Sequence, residues 1–234
     1  MIIVGHRGVA GHYPENTRAS ILAAVELGLE WVEVDIQPTK DHQLVVCHDH
    51  TINRCSDGNG RIDQHTLAEL KQLDFGHWFG KQFAGERIMT LDELLTLSSQ
   101  HRLKLNLEIK VDRHEAQHVC QLLANVLHQE NVVTDRIILS SFDSDVMRHL
   151  YKMLPQYRRA VLCDRASRQV YSLLAEVAAF SCNIHHRWTS KKQIEKLQSL
   201  GYQVWIYTVN NPRSVKHLPN IDALFSDYPQ RFLK

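Results

Sequence analysis

The feature that most constrains this sequence is a regular alternation of short, β-rich apolar runs with amphipathic helical patterns along all 234 residues. No linker, repeat or low-complexity segment interrupts the alternation, so we expect one continuous domain, residues 1–234. The runs with strand character are residues 2–5, 31–37, 103–109, 136–140, 158–162, 179–184, 203–207 and 223–225. They number eight.

Several helices between these runs have readable ends. Thr17 can cap a helix that stops near Gly28, Ser190 and Gly201 bracket another apolar stripe, and Thr90 begins a capping-box pattern. Eight strands that are each followed by a helix indicate a TIM (β/α)8 barrel, and 234 residues lie within the usual size of that fold. An open doubly wound sheet is the structural alternative, although the glycine fingerprint of dinucleotide binding is missing.

One segment, residues 44–88, breaks the alternation. It begins with the short strand-like run 44–47, continues through the turn-rich residues 55–60 and contains several aromatic side chains. We predict that it is a small inserted subregion after the second strand. An insertion there would lie at the carboxyl end of the barrel, where such barrels build their active sites.

Charge and cysteine content narrow the class of partner. The 27 basic and 26 acidic residues leave a net charge of +1, so a small-molecule substrate fits better than nucleic acid or a membrane surface. No stretch approaches the roughly 18 apolar residues of a membrane span, and residues 2–4 read as a strand rather than a signal peptide. The odd number of scattered cysteines indicates reduced thiols. We therefore expect a cytoplasmic protein without membrane insertion, as a monomer or homodimer.

Polar residues at the ends of apolar strands are the strongest local signal, because burying them is costly unless they are paired or bind a metal. His6 and Arg7 directly follow the first strand. Arginine presents a planar fork that matches two phosphate oxygens, and histidine can transfer protons near neutral pH. The pair therefore indicates an anion site, although an ordinary surface turn would give the same sequence.

Two carboxylates occupy alternate positions of the second strand. Glu33 and Asp35 project from one face, while Val32, Val34 and Ile36 take the other. Two like charges that point together into a barrel mouth repel each other unless a cation or a shared proton relieves them, and oxygen ligands favour Mg²⁺ or Ca²⁺. An exposed edge strand with solvated acids is the alternative interpretation.

The next strand also alternates, so Asn106, Glu108 and Lys110 share a face. Glu108 would supply a third carboxylate, and Lys110 can neutralise phosphate charge, although a solvated Glu-Lys pair is equally natural on a half-buried strand. His48, followed by Asp49, could work opposite the first-strand histidine. Because the chain has 15 histidines, the case for His48 rests on its neighbours.

Together these segments resemble the glycerophosphodiester phosphodiesterase family, whose members share His-Arg-Gly, Pro-Glu-Asn-Thr, Glu-x-Asp, His-Asp and Glu-Ile-Lys signatures in that order. The corresponding stretches here are residues 6–8, 14–17, 33–35, 48–49 and 108–110. The resemblance continues through residues 140–142, 207–210 and 226–229, so it covers nearly the whole chain.

The resemblance implies a TIM-barrel hydrolase that cuts small glycerophosphodiesters, such as glycerophosphocholine and glycerophosphoethanolamine, into glycerol 3-phosphate and an alcohol. It implies one divalent cation, Mg²⁺ or Ca²⁺, as cofactor. The implied roles are metal ligands at Glu33, Asp35 and Glu108, a general acid/base pair at His6 and His48, phosphate contacts at Arg7 and Lys110, and a substrate contact at Tyr207.

The sequence departs from the family pattern at three places. His42 stands where the family often has the glycine of a hairpin turn, Met89 replaces a common proline, and Tyr207 stands where many members carry tryptophan. The last change could alter the pocket for the alcohol. Two rival functions remain: a related barrel phosphodiesterase acting on a phospholipid head group or a cyclic phosphodiester, and a phosphoester-binding barrel without catalysis.

Overall fold

The computed structural model of the protein describes residues 1–130, 132–218 and 220–233. The strands are β1 (Ile2–His6), β2 (Trp31–Pro38), β3 (Leu44–Val46), β4 (Lys104–Ile109), β5 (Ile137–Ser141), β6 (Arg158–Cys163), β7 (Ser181–His185), β8 (Gln203–Tyr207) and β9 (Ala223–Ser226). The helices are α1 (Arg18–Glu26), α2 (Leu67–Leu70), α3 (Leu91–Gln100), α4 (Ala116–Gln129), α5 (Ser144–Met153), α6 (Arg168–Glu176) and α7 (Lys191–Ser199).

Eight of these strands form a closed parallel barrel in the order β1-β9-β8-β7-β6-β5-β4-β2, with helices between strands. The barrel closes because β1 pairs with both β9 and β2, with Ile2 opposite Ala223 and Val4 opposite Trp31. This closure confirms the predicted TIM barrel and excludes the open doubly wound sheet. The ninth strand, β3, lies outside the barrel and pairs antiparallel with the end of β2.

Alternation along the strands separates two cores. One set of side chains packs between the sheet and the helices, and the other fills the barrel interior. The interior cluster contains Trp31 and Trp205, whose ring centroids lie 5.5 Å apart, and Phe225 beside them. These large rings fill one layer of the barrel, so the next inward positions toward the carboxyl ends of the strands are left for polar groups.

Local signals set the helix ends as predicted. The Thr17 hydroxyl accepts a hydrogen bond at the start of α1, and Gly28 follows the helix with φ 71°. Capping boxes begin α3 at Thr90 and α7 at Ser190. After α7, Gly201 adopts φ 90°, a left-handed conformation that glycine reaches without steric cost.

The prediction of a helix after every strand is wrong for the last two strands. Among the described residues between β8 and β9, the helical structure is the 3-10 turn Pro212–Val215, and β9 is followed by the 3-10 turn Pro229–Arg231. Both turns begin with proline, which fits a first helical turn but removes a donor from the chain. Short connections therefore replace the last two helices.

Residues 44–88, called here the 44–88 segment, hold β3, α2 and two 3-10 turns, Ile62–Gln64 and Lys81–Phe83. The segment has its own small apolar cluster around Ile52, Leu70 and Phe75. The Gln37 side-chain amide at the end of β2 donates 2.8 Å hydrogen bonds to two carbonyls of the segment. These bonds fix the segment to the carboxyl end of the barrel.

Among the described residues, every helix is too short or too polar to traverse a bilayer.

Candidate active site

Three carboxylates converge at the carboxyl end of the barrel. In the strand register, Glu33 of β2 lies opposite His6 of β1, and Asp35 of β2 lies opposite Glu108 of β4. One carboxylate oxygen from each of Glu33, Asp35 and Glu108 lies within 4.8 Å of the other two. All three side chains are buried, so their mutual repulsion requires a compensating positive charge.

Part of that compensation comes from the protein itself. Lys110 Nζ lies 3.1 Å from Asp35 Oδ1 and 2.5 Å from Glu108 Oε1. Arg7 Nε lies 3.4 Å from Asp35 Oδ2, and the Asn16 side-chain amide donates a 2.9 Å hydrogen bond to the same oxygen. Asp35 is therefore the most heavily compensated carboxylate of the three.

These contacts separate the pKa values of the three acids. Burial raises the pKa of Asp35, but Lys110 and Arg7 outweigh it and hold that pKa below its usual value. Burial, followed by the charge of Asp35, raises the pKa of Glu33 to about 8 and also raises that of Glu108. Both effects favour the protonated form of Glu33 when no cation is bound.

The three acids fit a divalent cation. Glu33 Oε1 is buried and accepts no hydrogen bond from the described residues, so it has a lone pair directed at no protein donor. Carboxylate oxygens are the ligands that Mg²⁺ and Ca²⁺ prefer, and a bound cation would supply the counter-charge that Glu33 lacks. The chemistry of this donor set points to a divalent metal site formed by Glu33, Asp35 and Glu108.

His6 stands beside this acidic centre. Its Nδ1–H donates a 2.6 Å hydrogen bond to Asp227 Oδ1, and its Nε2 lies 3.7 Å from Glu33 Oε2. Burial lowers the pKa of His6, but the bond to Asp227 and the charge of Glu33 together raise it above its ordinary value. Asn210 holds Asp227 in turn, through a 2.6 Å bond from its side-chain amide to Asp227 Oδ2.

His48 lies on the 44–88 segment and lines a second small cavity together with Asn16, the residue that donates a hydrogen bond to Asp35. Its Nδ1–H donates a 2.7 Å hydrogen bond to Asp49 Oδ1. Burial, with Arg7 and Lys110, keeps the pKa of His48 below its ordinary value, although Asp35 pulls it upward.

A chain of ion pairs connects His48 back to the barrel. Arg54 donates to both oxygens of Asp49, at 2.7 and 3.0 Å, and to both oxygens of Glu15, each at 2.8 Å. Glu15 also accepts a 2.7 Å hydrogen bond from Arg7. The acids on this side of the site are therefore matched by arginines.

The β1–α1 loop uses unusual backbone conformations to form its part of the site. Arg7 has φ 54° and Asn16 has φ 59°, both left-handed, which costs energy for residues other than glycine. In this conformation the Arg7 backbone N–H donates to Glu33 Oε2 at 3.2 Å. Next to Arg7, Gly8 has φ 86°, and a Cβ there would lie 2.3 Å from the Ser20 hydroxyl, so only glycine fits.

A small cavity at the barrel mouth contacts the acids and one histidine. It is lined by His6, Glu33, Asn106, Glu108, Phe142, Leu162, Tyr207 and Phe225. Asn106 is 1% exposed, and both polar atoms of its amide lack a partner among the described residues. An unsatisfied buried amide that faces a cavity is available to a ligand.

The structure brings together the residues that the sequence singled out: His6, Arg7, Glu33, Asp35, His48, Glu108, Lys110 and Tyr207. Sequence reasoning gave no role to Asp227, Glu15 or Arg54, which position the two histidines and Arg7. Asp227 and Glu15 lie inside motifs of the family, but the motifs alone do not indicate that these residues hold His6 and Arg7. Arg54 follows the His48-Asp49 pair by only a few residues and lies outside the family motifs.

A TIM barrel with an acidic centre at the carboxyl ends of its strands has the architecture of a TIM-barrel enzyme, whose active site lies at that end. Comparison with known proteins identifies the family. The model of the glycerophosphoryl diester phosphodiesterase family matches residues 6–231. The chain belongs to that family. Both the predicted family and the predicted enzyme class, a phosphoric diester hydrolase, are confirmed.

Individual relatives agree. A glycerophosphodiester phosphodiesterase of Caldanaerobacter subterraneus subsp. tengcongensis is 30% identical, over 99% of this chain and 96% of that protein. Glycerophosphodiester phosphodiesterase 1 of Mus musculus is 32% identical, over 88% of this chain and 71% of that protein. A phosphodiesterase from Oleispira antarctica, solved in complex with the product sn-glycerol-3-phosphate, superposes with a TM-score of 0.94 at 32% identity, covering 99% of this chain and 94% of that one.

Proposed function

We propose that this protein hydrolyses small glycerophosphodiesters, such as glycerophosphocholine and glycerophosphoethanolamine, to glycerol 3-phosphate and an alcohol. The observation that carries the proposal is the convergence of three buried carboxylates, two basic side chains and two carboxylate-bound histidines at one barrel mouth. The Oleispira antarctica relative, solved with sn-glycerol-3-phosphate, supports the same substrate class.

In this proposal Glu33, Asp35 and Glu108 hold one Mg²⁺ or Ca²⁺. A cation held by these three residues would supply positive charge to the phosphoryl oxygens in the transition state. Arg7 and Lys110 lie against Asp35 and add positive charge on the same side of the acidic centre. They therefore bind the phosphodiester and orient it toward the histidines.

His6 and His48 act as the general acid/base pair. One imidazole removes the proton from the attacking oxygen, which forms a bond to phosphorus as the bond from phosphorus to the departing alcohol breaks. The other imidazole donates a proton to that alcohol. Both Nδ1 atoms are bound to carboxylates, so each ring is held with its Nε2 free for proton transfer. Over the whole reaction one water molecule is consumed, with its hydroxyl group ending on phosphorus and its other hydrogen on the alcohol.

We also propose a domain organisation and a cytoplasmic location for the enzyme. Residues 1–234 form one domain with residues 44–88 as an inserted subregion, which the separate apolar cluster of that segment supports. All five cysteines are free thiols, which fits a reducing cytoplasm.

Metal removal tests the proposal. Exhaustive chelation should reduce hydrolysis of glycerophosphocholine to background, and Mg²⁺ or Ca²⁺ should restore it, because the three acids repel one another without a cation. The variant Glu108→Gln should show little restoration, whereas the surface variant Glu195→Gln should behave as wild type. Full activity after chelation would remove the metal from the mechanism, and absence of any hydrolysis by the metal-loaded protein would refute the function.

A further inference from the structure

The two sides of the barrel mouth differ in how their acids are neutralised. On the side of the 44–88 segment, Asp49 and Glu15 are bound by arginines. On the opposite side, Asp164 follows β6 and accepts a 3.3 Å hydrogen bond from the Tyr207 hydroxyl. No cation among the described residues lies within 4 Å of the Asp164 carboxylate, so its charge is available to a ligand.

Two aromatic side chains line the cavity on this side, and the hydroxyl of one of them contacts the carboxylate. Tyr207, at the end of β8, and Phe142, after β5, line the cavity that also contains His6 and Glu108. Their ring centroids are 5.9 Å apart at an angle of 87°, and Phe142 remains 50% exposed. Aromatic faces next to a carboxylate attract ammonium groups, through the ring quadrupole and through charge.

The guanidinium next to Asp164 in the sequence does not form an ion pair with it. The guanidinium of Arg165 lies 4.1 Å from the ring centroid of Trp188, so the next residue along the chain stacks on another aromatic side chain. The imidazole of His185 contacts the edge of Tyr207, with centroids 5.5 Å apart. Arg165 also shows that aromatic side chains at this rim accept a cation on the face of the ring.

We propose that Phe142, Asp164 and Tyr207 form a subsite for a cationic amino-alcohol, so that the enzyme prefers diesters whose leaving alcohol carries an ammonium group over those with a neutral alcohol. The inference rests on the proposed function and names its preferred substrate class. Tyr207 connects this carboxylate to the acidic centre, since its ring lines the cavity with His6 and Glu108 and its hydroxyl donates to Asp164. The neutral glycerol would lie toward the arginine-matched side.

The test isolates the charge of the leaving alcohol. Glycerophosphocholine is compared with its carbon isostere, the 3,3-dimethylbutyl ester of glycerol 3-phosphate, which has the same shape and no charge. For the Mg²⁺-loaded wild-type enzyme, we expect kcat/KM to be about tenfold higher for the choline ester. Asp164→Asn should lower this ratio by about threefold to fivefold, and Tyr207→Phe, which removes the hydroxyl that holds Asp164, should lower it in the same direction.

The matched control is Asp135→Asn, which makes the same charge change on an exposed residue before β5. It should leave the ratio at the wild-type value. Equal kcat/KM for both esters in the wild-type enzyme would overturn the inference and leave the hydrolytic function standing. A ratio unaffected by Asp164→Asn would equally overturn it, and failure to hydrolyse either ester would overturn the proposed function together with the inference.

Discussion

His6 and His48 are held by similar bonds in different surroundings. Each donates from Nδ1 to a carboxylate, at 2.6 Å to Asp227 and at 2.7 Å to Asp49. Asp227 follows the last barrel strand. Its Oδ2 accepts a hydrogen bond from the Asn210 side-chain amide, and its backbone N–H donates to Asn210 Oδ1. Asp49 lies on the 44–88 segment and is bound by Arg54, whose side chain is 44% exposed.

Because of these different surroundings, we expect the bonds that hold the two histidines to depend differently on salt concentration. Hydrogen bonds between neutral amides and a half-buried carboxylate depend little on ionic strength, whereas exposed ion pairs are screened by salt. The 44–88 segment also packs around its own small cluster, so part of its packing is independent of the barrel core. We infer that the barrel side of the site is the rigid side and that the segment side is adjustable.

The largest expected effect comes from removing either imidazole. His6→Ala and His48→Ala should each lower kcat for glycerophosphocholine by about 10² to 10⁴, because each ring transfers a proton in the mechanism that we propose. Turnover of the Mg²⁺-loaded proteins is measured together with circular dichroism, and the exposed His101→Ala serves as control. If either variant hydrolysed the substrate at the wild-type rate, that histidine would have no part in proton transfer, and the two histidines would not form a catalytic pair.

Changing the two carboxylates that hold the histidines would sharpen the comparison. Asp227→Asn should lower kcat on the order of 10²-fold, because an amide no longer fixes the tautomer of the buried His6. Asp49→Asn should cost about tenfold, since His48 is more exposed and Asp49 is one link in an ion-pair chain. The measurement is kcat at saturating substrate. Equal losses would show that both sides hold their histidines equally firmly.

A smaller effect should follow from loosening the segment side alone. Arg54→Ala removes the links to Glu15 and Asp49 and should lower kcat about fivefold. Raising the salt concentration should lower wild-type activity more than that of the variant, because the screened ion pairs are already absent in the variant. The control is Arg148→Ala, which breaks ion pairs with Glu176 and Asp145 on helix surfaces. Identical salt profiles for wild type and Arg54→Ala would contradict an adjustable segment side.

The smallest expected effect is the release of a proton when the barrel side of the site binds a cation. Glu33 has a pKa of about 8 in the metal-free protein, so it is protonated below that pH and must lose its proton to bind a cation. Mg²⁺ binding at pH 7 should therefore release about one proton, and the release should vanish as the pH rises through about 8. Calorimetry in two buffers of different ionisation enthalpy measures it. Asp49→Asn should leave the release unchanged, and zero release from the wild-type protein would contradict the raised pKa.

Much of the fold and the acidic centre could be predicted from local patterns. Strand periodicity alone places Glu33 and Asp35 on one face, and the adjacent strand brings Glu108 to the same layer. The helix caps at Thr17, Thr90 and Ser190 follow from neighbours within a single turn. These features depend on short stretches of sequence, and for that reason they can be derived from it.

Features that depend on tertiary closure could not be derived in this way. The bond between His6 and Asp227 joins residues 221 positions apart and exists only when β1 meets β9. The role of Arg54 depends on how the 44–88 segment lies against Glu15. The turn without its glycine is formed by His42 at φ 60°, a conformation that periodicity does not reveal.

The pairing of β1 with β9 also determines when the molecule can become active. His6 and its partner Asp227 are 221 positions apart in the chain, so their hydrogen bond forms only once the ring of strands between them has closed. A folding intermediate with its first strands paired and the ring still open would leave the His6 imidazole without its anchor. Closure of the barrel and recovery of full activity are therefore expected to appear together during refolding.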